Sequence, residues 1–404
     1  MSKHILVYSQ YFYPEQFRIN DLCLELVERG FKVSVVTGVP NYPEGRFYKG
    51  YSWRENRNEI WNGINIYRMP IFSRGQSKIR LILNYFSFVI SSKLLERTLP
   101  KDIDAIFTYE VSPMTQALPA IWYAKKMKVP SYLYVMDLWP ENVVAVTKIK
   151  NKIIIDAIGR MVDYIYKNTT TILASSERFV DAIVNRNVPE KKILYWPQYA
   201  EDLYEIKEKN NQEVISEYFD EMTFVFAGNV GEAQGLGILP EAAKHLMEIH
   251  IKVKFVIIGN GRYMSQLLDL IKKLGVSEYF YFIPRQPATD IPYYLAKFDV
   301  ALITLNSSEI YDMTIPAKTQ SLMACGKPLL VAANGEVQEI VRNSASGLYG
   351  DAGDVEKLVS NIIKFYEMTE KDLERLSKNS KKYYDTNFDK KQLMDKLEWL
   401  LRGC

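Results

Sequence analysis

"FVFAGNVGEAQGLGILPEAAKHL", Phe224 to Leu246, runs from four apolar residues through Gly228, Asn229, Gly231 and Gly235 into an amphipathic segment. The apolar run reads as a buried strand and the segment after it as a helix, with glycines making the sharp passage between them. The pattern recurs. "KVKFVIIGNG", "YFYFIPRQP", "FDVALITL" and "KPLLVAA" are each followed by a helical segment, which predicts a doubly wound parallel sheet in the second half of the chain.

The first half alternates in the same way. "HILVYS", "KVSVVTG", "INIYRMP", "AIFTYE", "SYLYVMD" and "TTILAS" read as strands, with "RINDLCLELVERG" and "MTQALPAIWYAKKMK" as helices between them. The alternation breaks at "YWPQYAEDLYEIKEKNNQE", Tyr195 to Glu213, which reads as a linker. The expected organisation is an α/β pair of Rossmann-like domains, 1–200 and 201–380, with a helical tail over 381–404 crossing back to the first. Two such domains facing one another would place the ends of both sheets around a central cleft, where ligands bind.

Composition narrows the function by exclusion. With 404 residues, 48% hydrophobic and 25% charged, the chain is an ordinary globular protein large enough for two cores. Its 51 basic residues nearly balance 48 acidic ones and form no long basic run, which argues against nucleic acid as a partner. Cys23, Cys325 and Cys404 stand far apart, so neither a disulfide framework nor a zinc site is implied, and a reducing cytosol fits. The start, "MSKHILVYSQYFYPEQF", reads as a first strand and lacks the features of a signal peptide. "LILNYFSFVISSKLL", Leu81 to Leu95, is interrupted by Asn84 and Ser91-Ser92-Lys93 and is shorter than the ~20 residues of a membrane span. Flanked by Lys78, Arg80 and Lys93, it reads either as a face docking on the inner leaflet or as a buried core helix.

Candidate chemistry gathers at strand ends. The Gly228-Asn229-Val230-Gly231 turn could bring backbone amides to a phosphate, or could be a tight strand–helix turn and nothing more. Gly259, Gly261 and Arg262 of "IIGNGRYMSQL" repeat the choice. In "TIPAKTQSLMACGKPLLVA", Thr314 to Ala332, Pro316 suits a first helical turn and Lys318 follows within it. A lysine there opposes the helix dipole unless an anion sits between them, so Lys318 is either a phosphate ligand or a solvated surface residue. In the first half, Arg18 of "YFYPEQFRIND" could clamp a phosphate or be a solvated arginine at a helix start. Asp137 of "YVMDLWPENVV" could be a general base, a hydroxyl acceptor or a helix cap, with Glu141 four residues on. Arg285 lies in "IPRQP", where a base could stack or a plain turn could form. His4, His245 and His250 lie away from these turns, and no Ser-His-Asp set emerges.

Taken together, "YFYPEQFRINDLCLELVERGFKVSVVTGVPNYPEG", "VMDLWPE", "FAGNVGEAQGL", "TIPAKTQSLMACGKPLL", "GEVQEIV" and "SGLYGDAGDVEKL" resemble glycosyltransferase family 4 of the two-domain GT-B fold. "NYPEG", "DLWPE" and "IPAKTQSLMACGKP" are similar to the branch that builds capsule, O-antigen and colanic acid, including N-acetyl-fucosamine transferases. The resemblance implies a UDP-sugar donor in the second domain and a polyprenyl-diphosphate-linked saccharide acceptor in the first. It also implies retention at the anomeric carbon, and neither cofactor nor metal ion.

It implies Asp137 and Lys318 as catalytic residues, with Glu15, Arg18, Asn41 and Glu141 on the acceptor or phosphate side. On the donor side it implies Gly228, Asn229, Gly231, Gln234, Gly259, Gly261, Arg262, Arg285, Pro316, Gln320, Ser321 and Glu339. This chain also departs from the family pattern. Met313 and Ser321 stand where two glutamates are usual, so the ribose passes to Gln320, Ser321 or Glu339, while Asn229 and Gln234 replace an arginine and a lysine. "EQFRIN" replaces a Gly-Gly, and Met136 replaces a histidine before Asp137. With the glutamate pair missing, a sugar-nucleotide-binding partner in an assembly complex or an epimerase of the same fold are the alternatives.

Overall fold

The computed structural model describes residues 2–75, 77–208 and 219–403. It divides into two compact units, Met1–Trp196 with Met394–Cys404, and Pro197–Leu393. Of the stretch read as a linker, residues 209–213 lie outside the described residues, as does Cys404.

The N-terminal unit carries strands β1 (His4–Tyr8), β2 (Lys32–Gly38), β3 (Asn58–Trp61), β4 (Ile64–Met69), β5 (Ala105–Glu110), β6 (Ser131–Val135), β7 (Thr171–Ala174) and β8 (Ile193–Tyr195). Its helices are α1 (Arg18–Glu28), α2 (Lys78–Leu94), α3 (Ala117–Met127), α4 (Glu141–Thr147), α5 (Lys152–Asn168) and α6 (Glu177–Val184). The sheet runs β3-β4-β2-β1-β5-β6-β7-β8. All its pairings are parallel except β3 with β4. The chain reverses its direction of build between β1 and β5, so the loops after those two strands flank the switch point.

The C-terminal unit carries β9 (Met222–Ala227), β10 (Val253–Ile258), β11 (Phe280–Ile283), β12 (Val300–Thr304), β13 (Leu329–Ala332) and β14 (Gly347–Gly350). Its helices are α7 (Ile238–Glu248), α8 (Met264–Leu274), α9 (Ile291–Lys297), α10 (Glu309–Met313), α11 (Ala317–Ala324), α12 (Glu336–Ser344), α13 (Val355–Tyr366), α14 (Glu370–Asn387) and the start of α15 (Lys390–Arg402). The order β11-β10-β9-β12-β13-β14 is the 3-2-1-4-5-6 of a dinucleotide-type sheet, with its switch point between β9 and β12. Side chains alternate along β9. Phe224 and Phe226 enter the core with Leu239, Phe255 and Phe365, whereas Val225 enters the opposite core with Ile303, Met323 and Val337. Burial on both faces is why these strands read as unbroken apolar runs.

Three short strands escape the pattern: β3 is a partly exposed edge, β8 has three residues and β14 is bounded by glycines. The tail is two helices, not one. Phe388, 1% exposed, and Asp389 separate α14 from α15. The end of α15 belongs to the N-terminal unit, where Arg29 binds Asp395 at 2.6 Å, Glu398 at 2.9 Å and Glu25 at 2.7 Å. Replacing Arg29 by Ala removes three ion pairs at once, while Glu398 keeps Arg402 at 2.8 Å. It should destabilise the N-terminal unit by about 1–2 kcal/mol, read as a lowered urea midpoint.

Candidate functional site

At the C-terminal unit's switch point, β9 ends at Ala227 and Gly228 follows with φ of +147°, a conformation open to glycine. From the neighbouring strand, β12, the chain passes through α10 to Pro316 and α11. Pro316 is the N-cap of α11, one place before the first helical residue where the sequence puts it. Lys318 therefore sits in the first turn, and its side chain runs back across the strand ends.

Its ammonium group lies 3.7 Å from the centre of the Phe226 ring and donates to Gln234 Oε1 at 2.6 Å. A β-carbon on Gly228 would stand 3.4 Å from Lys318 Nζ, so the glycine leaves the space the ammonium borders. Gln234 is itself fixed. Its carbonyl accepts from Thr304 Oγ1 at 2.5 Å, and Asn306 N donates to Ala233 O at 3.0 Å, tying the turn to the end of β12. Burial pushes the Lys318 pKa down to about 7, against Phe226 and Gln234, both of which favour the charged form. The side chain is partly buried rather than fully solvated.

The glycine turns do something other than expected. Gly228 N donates to Ile258 O at 2.9 Å, Gly231 N to Asn229 O at 3.0 Å, Gly259 N to Ile283 O at 3.0 Å and Gly261 N to Asn260 Oδ1 at 2.7 Å. These four amides are occupied within the protein, and the glycines also pack the two loops together. A β-carbon on Gly259 would lie 2.0 Å from Gly228 O, and one on Gly261 would lie 2.1 Å from Val230 O. Only glycine lets the two loops touch.

The other donor-side candidates scatter. Gln320 is fully buried, and with its amide oriented to donate it reaches Ala317 O at 3.1 Å and Pro316 O at 3.2 Å. In that orientation its amide serves its own helix. Ser321 is buried behind it. Asn229, Arg262 and Arg285 are exposed on the loops after β9, β10 and β11. Glu339 is half-buried, 3.8 Å from Arg342. Sequence reasoning passed over Phe226, taken as core alone, and Glu336, an acid buried in the first turn of α12 just after Gly335. A glycine followed at once by an acid at a helix start was the available signal for Glu336. A cavity of about 400 Å³ also opens behind the Glu232–Gln234 turn, lined by Glu241, Tyr263 and Asn306 among others; Lys318 and Gly228 are not on its wall.

In the N-terminal unit, Glu15 and Asn41 do come together, but inside the loop. Glu15 Oε1 accepts from Asn41 N at 2.7 Å and from Tyr42 N at 2.6 Å, and both residues are at most 1% exposed. Burial raises the Glu15 carboxyl to about 7 despite these bonds. Asn41 Oδ1 also accepts from Arg74 N at 2.8 Å. They brace the loop that presents Tyr11, Phe17, Tyr42 and Arg74, with Tyr11 and Phe17 stacked at 5.2 Å and Arg74 5.2 Å above Tyr42. Arg18 is half-buried at the start of α1. Glu141 opens α4, 4.0 Å from Arg186.

Asp137 is half-buried after β6, and its Oδ2 accepts from Ser112 N at 2.8 Å rather than capping a helix. Behind it lies Glu110, fully buried, whose carboxyl accepts from Asp137 N at 3.3 Å and whose pKa burial and Asp137 raise well above the usual range. Among the described residues no group of three or more His, Cys, Asp or Glu side chains could hold a metal ion.

Residues 207–383 match the family model described as "Glycosyl transferases group 1". The chain is 24% identical over 353 residues, 81% of its length and 83% of the relative's, to WcaI of Escherichia coli (strain K12), named provisionally as a colanic acid biosynthesis glycosyl transferase. It is 24% identical over 148 residues, 36% of each chain, to the amylovoran biosynthesis glycosyltransferase AmsK of Erwinia amylovora. Among solved structures it resembles sucrose-phosphate synthase from Thermosynechococcus elongatus, with a TM-score of 0.79 at 14% identity over 99% of this chain and 98% of that one. Anabaena HepE in complex with UDP gives 0.73 at 15% identity over the whole of both chains. The fold is thus GT-B, and the C-terminal unit carries the matched glycosyltransferase region.

Lys318 predicts a trade between stability and binding. In the unfolded chain a lysine titrates near 10.4, so between about pH 7 and 10 the unfolded state holds more protons and native stability rises with pH. Lys318→Met removes the penalty. It should stabilise the C-terminal unit by roughly 1–3 kcal/mol at pH 7, with the gain vanishing by about pH 10, in urea melts at a series of pH values.

Proposed function

We propose that the chain is a retaining, metal-independent glycosyltransferase of surface-polysaccharide synthesis, capsule or O-antigen. It moves an N-acetylated amino sugar or a deoxy sugar from a UDP-sugar to a polyprenyl-diphosphate-linked saccharide, working from the cytoplasmic face of a membrane as a peripheral protein. The observation that carries this reading is the desolvated ammonium of Lys318 at the switch point of the C-terminal sheet, bordering the space beside Gly228. UDP and UDP-glucose bound to HepE, a protein of this fold, and the polysaccharide relatives support the donor and the pathway class.

In the reaction the anomeric C–O bond to the diphosphate breaks and the acceptor hydroxyl oxygen bonds to that carbon on the same face. The hydroxyl proton passes to the departing phosphate oxygen. Lys318, protonated by contact with the diphosphate, stabilises the charge that grows there, and the start of α11 adds its partial positive charge. Asp137 orients the acceptor hydroxyl in the N-terminal unit, with Arg18 and Glu141 on that side. Arg262 and Arg285 approach the donor from the exposed loops, and Glu339, joined by Glu336, takes the ribose.

Lys318→Ala should lower turnover by about 10²–10³ in an assay of purified protein with nucleotide sugars and membrane lipid. In the wild type, affinity for UDP-glucose by calorimetry should be flat below pH 7 and weaken by roughly tenfold per unit above it, as the free lysine loses its proton. Unchanged turnover in the variant, epimerised donor, or binding without transfer to any lipid acceptor would each overturn the reading.

A further inference from the structure

A glycine opens α7 where the backbone does not require one. Gly237 is the N-cap of that helix, with φ of −59° and ψ of −21°, angles that any residue adopts. A β-carbon there would stand 2.8 Å from the Tyr263 hydroxyl. The glycine therefore keeps room rather than conformation, and the room belongs to the cavity of about 400 Å³ behind the Glu232–Gln234 turn.

The wall of that cavity is chemically one-sided. Glu232 from the turn, Glu241 from α7, Tyr263 from the loop after β10 and Asn306 from the loop after β12 line it beside Ile238 and Leu305. Among the described residues no Lys or Arg lines it. Asn306 donates from Nδ2 to Glu232 O at 2.6 Å and from N to Ala233 O at 3.0 Å. The carboxylates of Glu232 and Glu241, the Tyr263 hydroxyl and Asn306 Oδ1 have no partner in the hydrogen bonds and ion pairs of the described residues.

These groups select a ligand class. Two carboxylates without a cation repel a phosphate or an acidic sugar, and four polar groups do not suit an apolar molecule. An ammonium group needs one tight cluster of oxygens. Here the four groups come from four separate segments around a space at the lower end of ligand pockets, which run from about 300 to 1,000 Å³. Hydroxyls spread round a sugar ring match that arrangement, because each can donate a charge-assisted bond to a carboxylate or pair with the amide and the phenol.

We propose that the cavity is a second binding site of the C-terminal unit, for an uncharged mono- or disaccharide, and that it is coupled to Lys318 through the Glu232–Gln234 turn. The coupling rests on the reading that Lys318 holds the donor diphosphate. The turn is the cavity wall on one side, and Gln234 at its end accepts from Lys318 Nζ at 2.6 Å and from Thr304 Oγ1 at 2.5 Å. Tyr263 N donates to Val230 O at 3.1 Å, which ties the other wall to the same loop. A saccharide bridging Glu232, Glu241 and Tyr263 fixes the turn from behind and holds Gln234 against Lys318. That removes an ordering cost from donor binding, so saccharide and donor each tighten the other.

Calorimetry and saturation-transfer NMR on the full chain test this, with UDP at saturating concentration to fill the donor site. The probes are glucose, galactose, fucose, N-acetylglucosamine and maltose, with spermidine and glucuronate as charged comparisons. At least one neutral sugar should bind, and glucuronate should not. Glu241→Leu should weaken the binding by about tenfold or more, the scale of one hydrogen bond to a charged group. Gly237→Leu, whose side chain fills the cavity on an unchanged backbone, should abolish it, with circular dichroism and sugar-free UDP-glucose affinity as in the wild type. The bound sugar should tighten UDP-glucose about fivefold in the wild type and not in Gly237→Leu. The proposal is overturned if no neutral sugar binds, if both variants bind like the wild type, if UDP displaces the sugar, if spermidine is preferred to every sugar, or if the bound sugar leaves UDP-glucose affinity unchanged. Failure of the wild type to bind UDP-glucose at all would refute the donor reading alone, and the sugar titrations of the two variants would still decide the site.

Discussion

A lysine ammonium pressed against an aromatic ring and one amide oxygen is the constraint around which the C-terminal unit is arranged. Phe226 supplies the ring from the end of β9, Gln234 supplies the oxygen from the turn after it, and α11 supplies the lysine from beyond β12. The ring and the oxygen come from one side of the switch point and the lysine from the other. The geometry therefore exists only once the central strands have paired, and it leaves Lys318 short of solvation.

Around that lysine the glycines act as spacers. Gly259 and Gly261 let the loop after β10 lie directly on the carbonyls of Gly228 and Val230, and Gly228 keeps the approach to the ammonium clear. A phosphate loop and a close loop–loop contact demand the same residue type in the same place. The sequence pattern alone cannot separate them, because what differs is where the N–H groups point, and here they point into the protein.

The N-terminal unit shows a second division of labour. Glu15 and Asn41 are buried in the loops and hold aromatic rings and Arg74 in place, while Asp137 keeps a half-exposed carboxylate in front of the buried Glu110. Alongside, α2 buries Asn84 and Ser92 together with Phe88 and Val89, and leaves Ile79, Ile82, Leu83, Phe86, Ile90 and Leu94 exposed. Neither arrangement follows from composition, since Asn84 inside and Phe86 outside reverse the usual preference.

Read alone, the chain yielded the strands β1, β2, β4, β5, β6 and β7, the five of β9 to β13, and with them two doubly wound sheets; GT-B followed from the resemblance of its motifs to family 4. Strands buried on both faces leave an apolar run between glycine or polar punctuation, and that signal is local. Lys318 was also legible, as a cation that conflicts with the helix dipole. Phe226 looked like core, Gln320 like a ligand and Glu110 like the end of a strand, because their roles depend on neighbours far away in the chain. Tertiary structure alone decided which amides were already paired, which lysine lost its water and which face of α2 met solvent. Hydrogen bonding and desolvation are set by what closes around a group, and that is fixed only when distant segments pack.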